Sequence, residues 1–244
     1  MSESTKTLQK TGPRIIVGIP AYNEEQFVGA VVLGSRKYAD QVIVVDDGST
    51  DNTAHVAESS GARVIRFSVN RGYGKAIITC FQAAKVQNAD VLVTLDGDGQ
   101  HDPNDLPIVL GPILDGEADL IIGSRFLNRS NNIPGYRKFG INAITFLYNF
   151  GSSLKVSDSQ SGFRAYNKRI MDVIYLNETG MGVSVEVIIQ AREKGFRIKE
   201  IPIHCSYLPN SSTLNPLGHG LGVALTLVKL RFKNLLRRLI VGNN

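Results

Sequence analysis

The chain has no tryptophan, only two cysteines, and no apolar run long enough to cross a bilayer. A membrane-spanning helix needs roughly 18 or more consecutive apolar residues; the best candidate, 221–228, stops at Lys229. Cys80 and Cys205 stand far apart in the sequence. They are too few for a disulfide framework or a cysteine-rich zinc site, and their scarcity suits reduced thiols in a cytosolic protein. No Ser/Gly/Pro-rich linker divides the chain, and no repeat of solenoid period occurs. Its 244 residues, 43% of them hydrophobic, can bury one large core. The expectation is one domain over 14–210, with a polar tail, 1–13, ahead of it and a second tail, 211–244, behind. The leading tail lacks the apolar centre of a signal peptide.

Acidic residues are missing from one further stretch. Lys229, Arg231, Lys233, Arg237 and Arg238 follow one another with no acid between them, on a chain whose net charge is a modest +5. A basic end on a near-neutral body points to phosphate-bearing partners, either nucleic acid or a membrane surface. Over 219–241 these cations alternate with Leu, Val and Ile. Over 135–150, Tyr136, Phe139, Ile141, Ile144, Phe146, Leu147, Tyr148 and Phe150 accompany Arg137 and Lys138. Basic amphipathic segments of this kind fit a membrane interface. The competing reading is packing on the core or pairing in a homo-oligomer. Basic and aromatic residues are not interleaved on the predicted strands, which weighs against nucleic acid.

What the chain does have is a series of apolar runs that each end in a polar cluster. Residues 14–19, 41–45, 63–67, 91–95 and 120–122 read as buried strands. Helices are expected over 24–37, capped by Asn23, then from Ser49 or Asp51 through Ser59, and over 76–87. Strands that are apolar throughout and alternate with helices predict an α/β fold: a mostly parallel central sheet with helices on both faces. Ligands of such sheets sit at the carboxyl ends of the strands. The clusters 20–25, 45–51, 70–75 and 96–102 all fall there.

The last cluster carries the sharpest chemistry. Asp96 and Asp98, flanked by Gly97 and Gly99, close a strand with two hard oxygen ligands. That suits Mg²⁺ or Mn²⁺ held together with phosphate oxygens. A diphosphate leaving group needs such help as its charge builds.

Together these pieces resemble the family 2 inverting glycosyltransferases and their GT-A nucleotide-diphosphosugar transferase fold. The residues concerned are 20–25 (Pro-Ala-Tyr-Asn-Glu-Glu), 45–51 (Val-Asp-Asp-Gly-Ser-Thr-Asp), 70–75 (Asn-Arg-Gly-Tyr-Gly-Lys) and Asp96-Gly97-Asp98. Within that family the chain is most similar to the polyprenyl-phosphate sugar transferases, the dolichol-phosphate mannose synthase group. Residues 96–103 match its extended metal motif, Ile122-Gly123-Ser124-Arg125-Phe126 with Tyr136-Arg137-Lys138 its phosphate-binding arginines, and 158–164 its acceptor-side signature. Processive synthases of the wider family carry a Gln-x-x-Arg-Trp motif, so the missing tryptophan argues against a cellulose- or chitin-type polymerase. Where the group carries a basic residue and a Ser-Lys-Leu segment, this chain has Tyr207 and Thr213 within 207–214.

The resemblance implies roles for particular residues. Pro20, Tyr22, Glu24, Val45, Asp47, Lys75, Asp96 and Gly97 would bind the nucleotide-sugar, with Asp47 accepting from ribose and Lys75 reaching the diphosphate. Asp96, Asp98 and Gln100 would hold Mg²⁺ or Mn²⁺, and His101 would make a structural hydrogen bond near the turn. Arg125 and Arg137 would bind the acceptor phosphate, for which guanidinium forks are suited. A phosphate acceptor is already an anion, so no dedicated base is required, and Asp158 would orient sugar or acceptor. The implied reaction is transfer from GDP-mannose, UDP-glucose or UDP-GlcNAc to a dolichyl-type phosphate at the cytoplasmic membrane face, with inversion. The alternatives are a family 2 enzyme acting on a soluble glycan or small-molecule hydroxyl, and a nucleotidyltransferase. The latter prefers a glycine-rich signature after the first strand, which 20–25 lacks.

Overall fold

The computed structural model describes residues 12–128, 131–150, 152 and 154–207. The tail segments expected at 1–11 and 208–244, including the basic stretch 219–241, lie outside the described residues.

Seven strands form one sheet in the order β3-β2-β1-β4-β6-β5-β7. They are β1 (Ile15–Ala21), β2 (Gln41–Asp46), β3 (Arg63–Arg66), β4 (Val91–Thr94), β5 (Leu120–Ser124), β6 (Arg164–Asn167) and β7 (Ile198–Pro202). The helices are α1 (Val28–Ser35), α2 (Thr53–Ser59), α3 (Tyr73–Val86), α4 (Leu106–Leu114), α5 (Gly135–Asn149), α6 (Lys168–Val173) and α7 (Val183–Glu193). All pairings are parallel except those of β6, which runs antiparallel to both β4 and β5. That reversal matters for the site. It brings the loop before β6 to the edge where β1, β2, β4, β5 and β7 end.

Two apolar layers explain the continuous hydrophobic runs. Val17, Ile19, Val42 and Val44 face α1 and α4, whereas Ile16, Ile43, Val45 and Leu92 face α3 and α7. Side chains alternate across a strand, so burial on both faces requires an apolar residue at every position. Each fully buried Ile or Leu contributes roughly 1.5–3 kcal/mol. Gly18 is needed for close approach, because a Cβ there would lie 2.8 Å from Cys80 Cβ. Cys80 and Cys205 are both buried and unpaired.

The first helix is shorter than expected, and Asn23 does not cap it. Asn23 sits at φ +56°, and its Oδ1 accepts from the Thr50 amide. The amides of Asn23, Glu24 and Glu25 donate to Ser49 Oγ, Thr53 Oγ1 and Asp51 Oδ2. These tertiary bonds tie the loops after β1 and β2 together, and Glu24 O accepts from the Phe27 and Val28 amides in a single turn ahead of α1. At α2 the expectation is closer, since Asp51 Oδ1 accepts from the first-turn amide of Thr53 at 3.0 Å.

Candidate active site

Every cluster singled out from the sequence lies at one edge of the sheet, but the residues within them divide the work differently. Asp46 is fully buried; its Oδ1 accepts from the Ser49 amide at 2.9 Å, and its Oδ2 pairs with Arg66 Nε at 3.0 Å. Asp47 accepts from the backbone N–H groups of Arg71 at 2.7 Å and Gly72 at 2.9 Å. Each of its oxygens thus anchors the glycine loop through one backbone amide. The side chain of Val45 packs wholly in the core. Pro20 and Gly97 are buried in the floor of the site, and Tyr22 is 41% exposed at its rim. Lys75 stands half-buried in the first turn of α3.

A carboxylate cluster forms where β1 and β4 end. Burial, together with the charges of Asp98, Asp96 and Asp51, pushes Glu24 up to about 8. Burial and the neighbouring Asp96 charge push Asp98 up to about 7, against a weaker opposing pull from Arg137 and Arg125. Gln100 is buried, with its amide donating to Asp98 Oδ1 at 3.0 Å. Its Oε1 faces Arg137 Nη1 at 3.4 Å. Two carboxylates and an amide oxygen form a hard donor set that lacks positive charge, which fits Mg²⁺ or Mn²⁺ sharing phosphate oxygens. Among the described residues no three His, Cys, Asp or Glu side chains converge as a metal cage. The fit is thus to a cation that takes part of its shell from a ligand.

The sign of these shifts sets a test. A carboxyl raised in the folded protein stabilises it below its ordinary value and loses that contribution as pH rises through the folded value. Without metal, the part of the stability that Asp98 and Glu24 supply is expected to fall between about pH 4 and about pH 8, from the ordinary values of 3.8 and 4.5 to about 7 and about 8. Added Mn²⁺ or Mg²⁺ is expected to restore it most at the alkaline end. Thermal denaturation with and without metal across this range checks both.

His101 departs from its expected structural bond. Its ring is buried against Phe163, 5.7 Å between centroids, and among the described residues neither ring nitrogen has a hydrogen-bond partner. Nδ1 lies 3.8 Å from Asp96 Oδ2. Burial lowers its pKa, so the neutral imidazole is favoured.

On the other side of the cluster lie the two arginines. Arg125, just past β5, is clamped by fully buried Asp158: Nε donates to Oδ2 and Nη2 to Oδ1, both at 2.7 Å. The pair holds Asp158 below the usual carboxylate range and Arg125 above its own. Glu200 of β7 accepts from the amides of Ser157 and Asp158, fixing the loop that presents Asp158. Arg137, at the start of α5, faces Gln100 and lies over the Tyr207 ring at 5.2 Å. The site thus brings Glu24, Asp96, Asp98 and Gln100 together with Arg125 and Arg137. Sequence reasoning assigns no role to Tyr73, Gly162 or Glu200. Tyr73 and Gly162 stand inside recognisable motifs, which is the available signal; Glu200 is far from any motif.

The model of the family described as "Glycosyl transferase family 2" matches residues 16–174. The chain belongs to glycosyl transferase family 2. It is a glycosyltransferase. One relative is the UDP-N-acetylglucosamine–dolichyl-phosphate N-acetylglucosaminyltransferase of Methanococcus voltae, 34% identical over 78% of this chain and 84% of that protein. Another is the dolichyl-phosphate hexose transferase of Haloferax volcanii, 30% identical over 91% of this chain and 96% of that one. Among solved structures, glucosyl-3-phosphoglycerate synthase of Mycobacterium tuberculosis, with Mn²⁺, UDP and phosphoglyceric acid, superposes with a TM-score of 0.71. It is 25% identical and covers 89% of this chain and 78% of its own. The fold is accordingly GT-A-like, as the resemblance implied.

Proposed function

We propose that this family 2 glycosyltransferase moves a hexose or N-acetylhexosamine from a nucleotide-diphosphosugar to a polyprenyl phosphate, with inversion, at the cytoplasmic face of a membrane. The observation that carries the reading is the pairing of Arg125 and Arg137 beside the carboxylate cluster, with Asp158 committed to Arg125. An anion-binding pair whose own carboxylate partner, Asp158, is consumed by Arg125 suits an acceptor that is already a nucleophilic anion. Relatives named for dolichyl-phosphate acceptors support the same acceptor class.

In this reading Asp96, Asp98 and Gln100 hold a divalent cation, which would offset charge on the departing diphosphate. Lys75, half-buried in the first turn of α3, would reach the same phosphates. Arg125, fixed by Asp158, orients the acceptor phosphate and partly neutralises it. Glu24, next to the carboxylates, helps define the donor side.

Among the described residues no helix is long and apolar enough to cross a membrane. Helix α5 offers another mode of contact. Tyr136, Phe139, Phe146 and Phe150 are 61%, 78%, 67% and 67% exposed, and Arg137 lies on the same helix at the site. An apolar face of this kind, with cations at its start, suits a lipid interface adjoining a lipid-phosphate site. The second reading, a soluble phosphate-bearing acceptor, draws on the phosphoglyceric acid held in complex by the M. tuberculosis synthase.

A donor screen decides between them. GDP- and UDP-sugars are offered with detergent-dispersed polyprenyl phosphate or with 3-phosphoglycerate, in Mn²⁺ or Mg²⁺. The expected result is a lipid-linked sugar from one donor, lost on addition of EDTA. Product on phosphoglycerate and none on lipid would favour the soluble acceptor.

A further inference from the structure

Asp96 is held from two sides. The Tyr73 hydroxyl donates to Oδ1 at 2.9 Å. Opposite, the backbone of Gly162 approaches so closely that a Cβ there would collide with both carboxylate oxygens. Gly162 is itself fixed, since Thr94 Oγ1 donates to its carbonyl at 2.8 Å. The side chain of Asp96 keeps 27% exposure, so the carboxylate is oriented yet open toward the site.

Tyr73 is equally constrained. It opens α3 directly after Gly72, whose φ is +94°. A Cβ at Gly72 would lie 2.7 Å from Thr179 O, and one at Gly74 would collide with Glu178 O. The Lys75 amide donates to Thr179 O at 3.2 Å. The glycine loop is therefore seated on backbone, and Tyr73 moves only if that loop moves.

We propose that Tyr73 is a positioning residue that couples the donor loop to the metal carboxylate, its hydroxyl fixing Asp96 in the orientation that receives a divalent cation. The inference rests on the reading of Asp96 as a metal ligand. It assigns a task to a loop residue that lies outside the proposed ligand set and bonds to one member of it. Hydrogen bonds that orient a ligand in this way are typically worth about 10- to 100-fold in metal affinity.

The test is Tyr73→Phe, which removes one oxygen and keeps the ring packing. Mn²⁺ is titrated alone, then with UDP or GDP, and free Mn²⁺ is followed by electron paramagnetic resonance. Binding is expected to weaken roughly 10- to 100-fold, with kcat at saturating Mn²⁺ within a few-fold of the parent. Tyr73→Leu, which also loses the ring, should weaken binding at least as much. Mn²⁺ affinity of Tyr73→Phe within twofold of the parent, whether or not its melting temperature drops, would overturn the proposal and leave Tyr73 a packing residue. A parent chain that binds no Mn²⁺ under any of these conditions would overturn the metal reading itself, and this inference with it.

Discussion

Asp98→Asn is expected to lower kcat by about 1,000-fold, equivalent to about 4 kcal/mol of barrier, while leaving the metal-free protein at least as stable as the parent. The two effects have one cause. Asp98 is held in a buried site beside Asp96, and its carboxyl is pushed up to about 7. Above that pH the folded chain carries a charge that burial and a like-charged neighbour both disfavour. Asparagine keeps the shape and removes the charge. Its melting temperature should therefore fall less than the parent's between about pH 5 and about pH 8.5. The loss of activity would have the opposite origin: the charge that is costly without metal is the one proposed to bind the cation. Mn²⁺ should accordingly raise the melting temperature of the parent and leave that of Asp98→Asn nearly unchanged. Steady-state kinetics and paired melts read both halves. A variant that retains most of its activity would remove Asp98 from the metal site.

This balance also explains what the sequence could disclose. The doubly buried strands were legible because each position must be apolar, and β1, β2, β4 and β5 lie within two residues of the bounds read from the runs. The carboxylate loop at the end of β4 was legible because Asp96, Gly97, Asp98 and Gly99 are contiguous. The antiparallel strand β6 was not, since Arg164–Asn167 offers only four residues of mixed polarity. Buried Arg164 is satisfied by the carbonyls of Ser159, Ser161 and Ser184, a set that no local pattern displays. The same limit affects Asp47 and Asn23. From the sequence each looks free to bind a ligand or cap a helix, and each also accepts from the backbone of another loop. Short-range grammar places residues at the right edge of the sheet. Which atoms remain open there depends on long-range hydrogen bonds.

Asp158 is where that distinction has its largest consequence. Asp158→Asn is expected to cost about 3–5 kcal/mol of stability, because it leaves a buried guanidinium without its counter-charge. For a chain of this size that is a fall of roughly 10 °C in melting temperature. Transfer should also suffer, with kcat/KM for the acceptor down about 100-fold or more and the donor KM little changed. The pattern separates two roles. A general base would be exposed to the acceptor and hold its proton affinity near the working pH; its loss would lower kcat and spare stability. Asp158 is fully buried, its carboxyl is held below the usual range, and both its oxygens accept from Arg125. It therefore acts through Arg125, and a double-mutant cycle makes the point directly. Arg125→Gln alone and Arg125→Gln with Asp158→Asn should be impaired to nearly the same degree, because the second change removes a partner that has nothing left to hold. Additive losses in kcat would instead give Asp158 its own contact with the reacting groups, and the acceptor would then need a base that the arginine pair cannot supply.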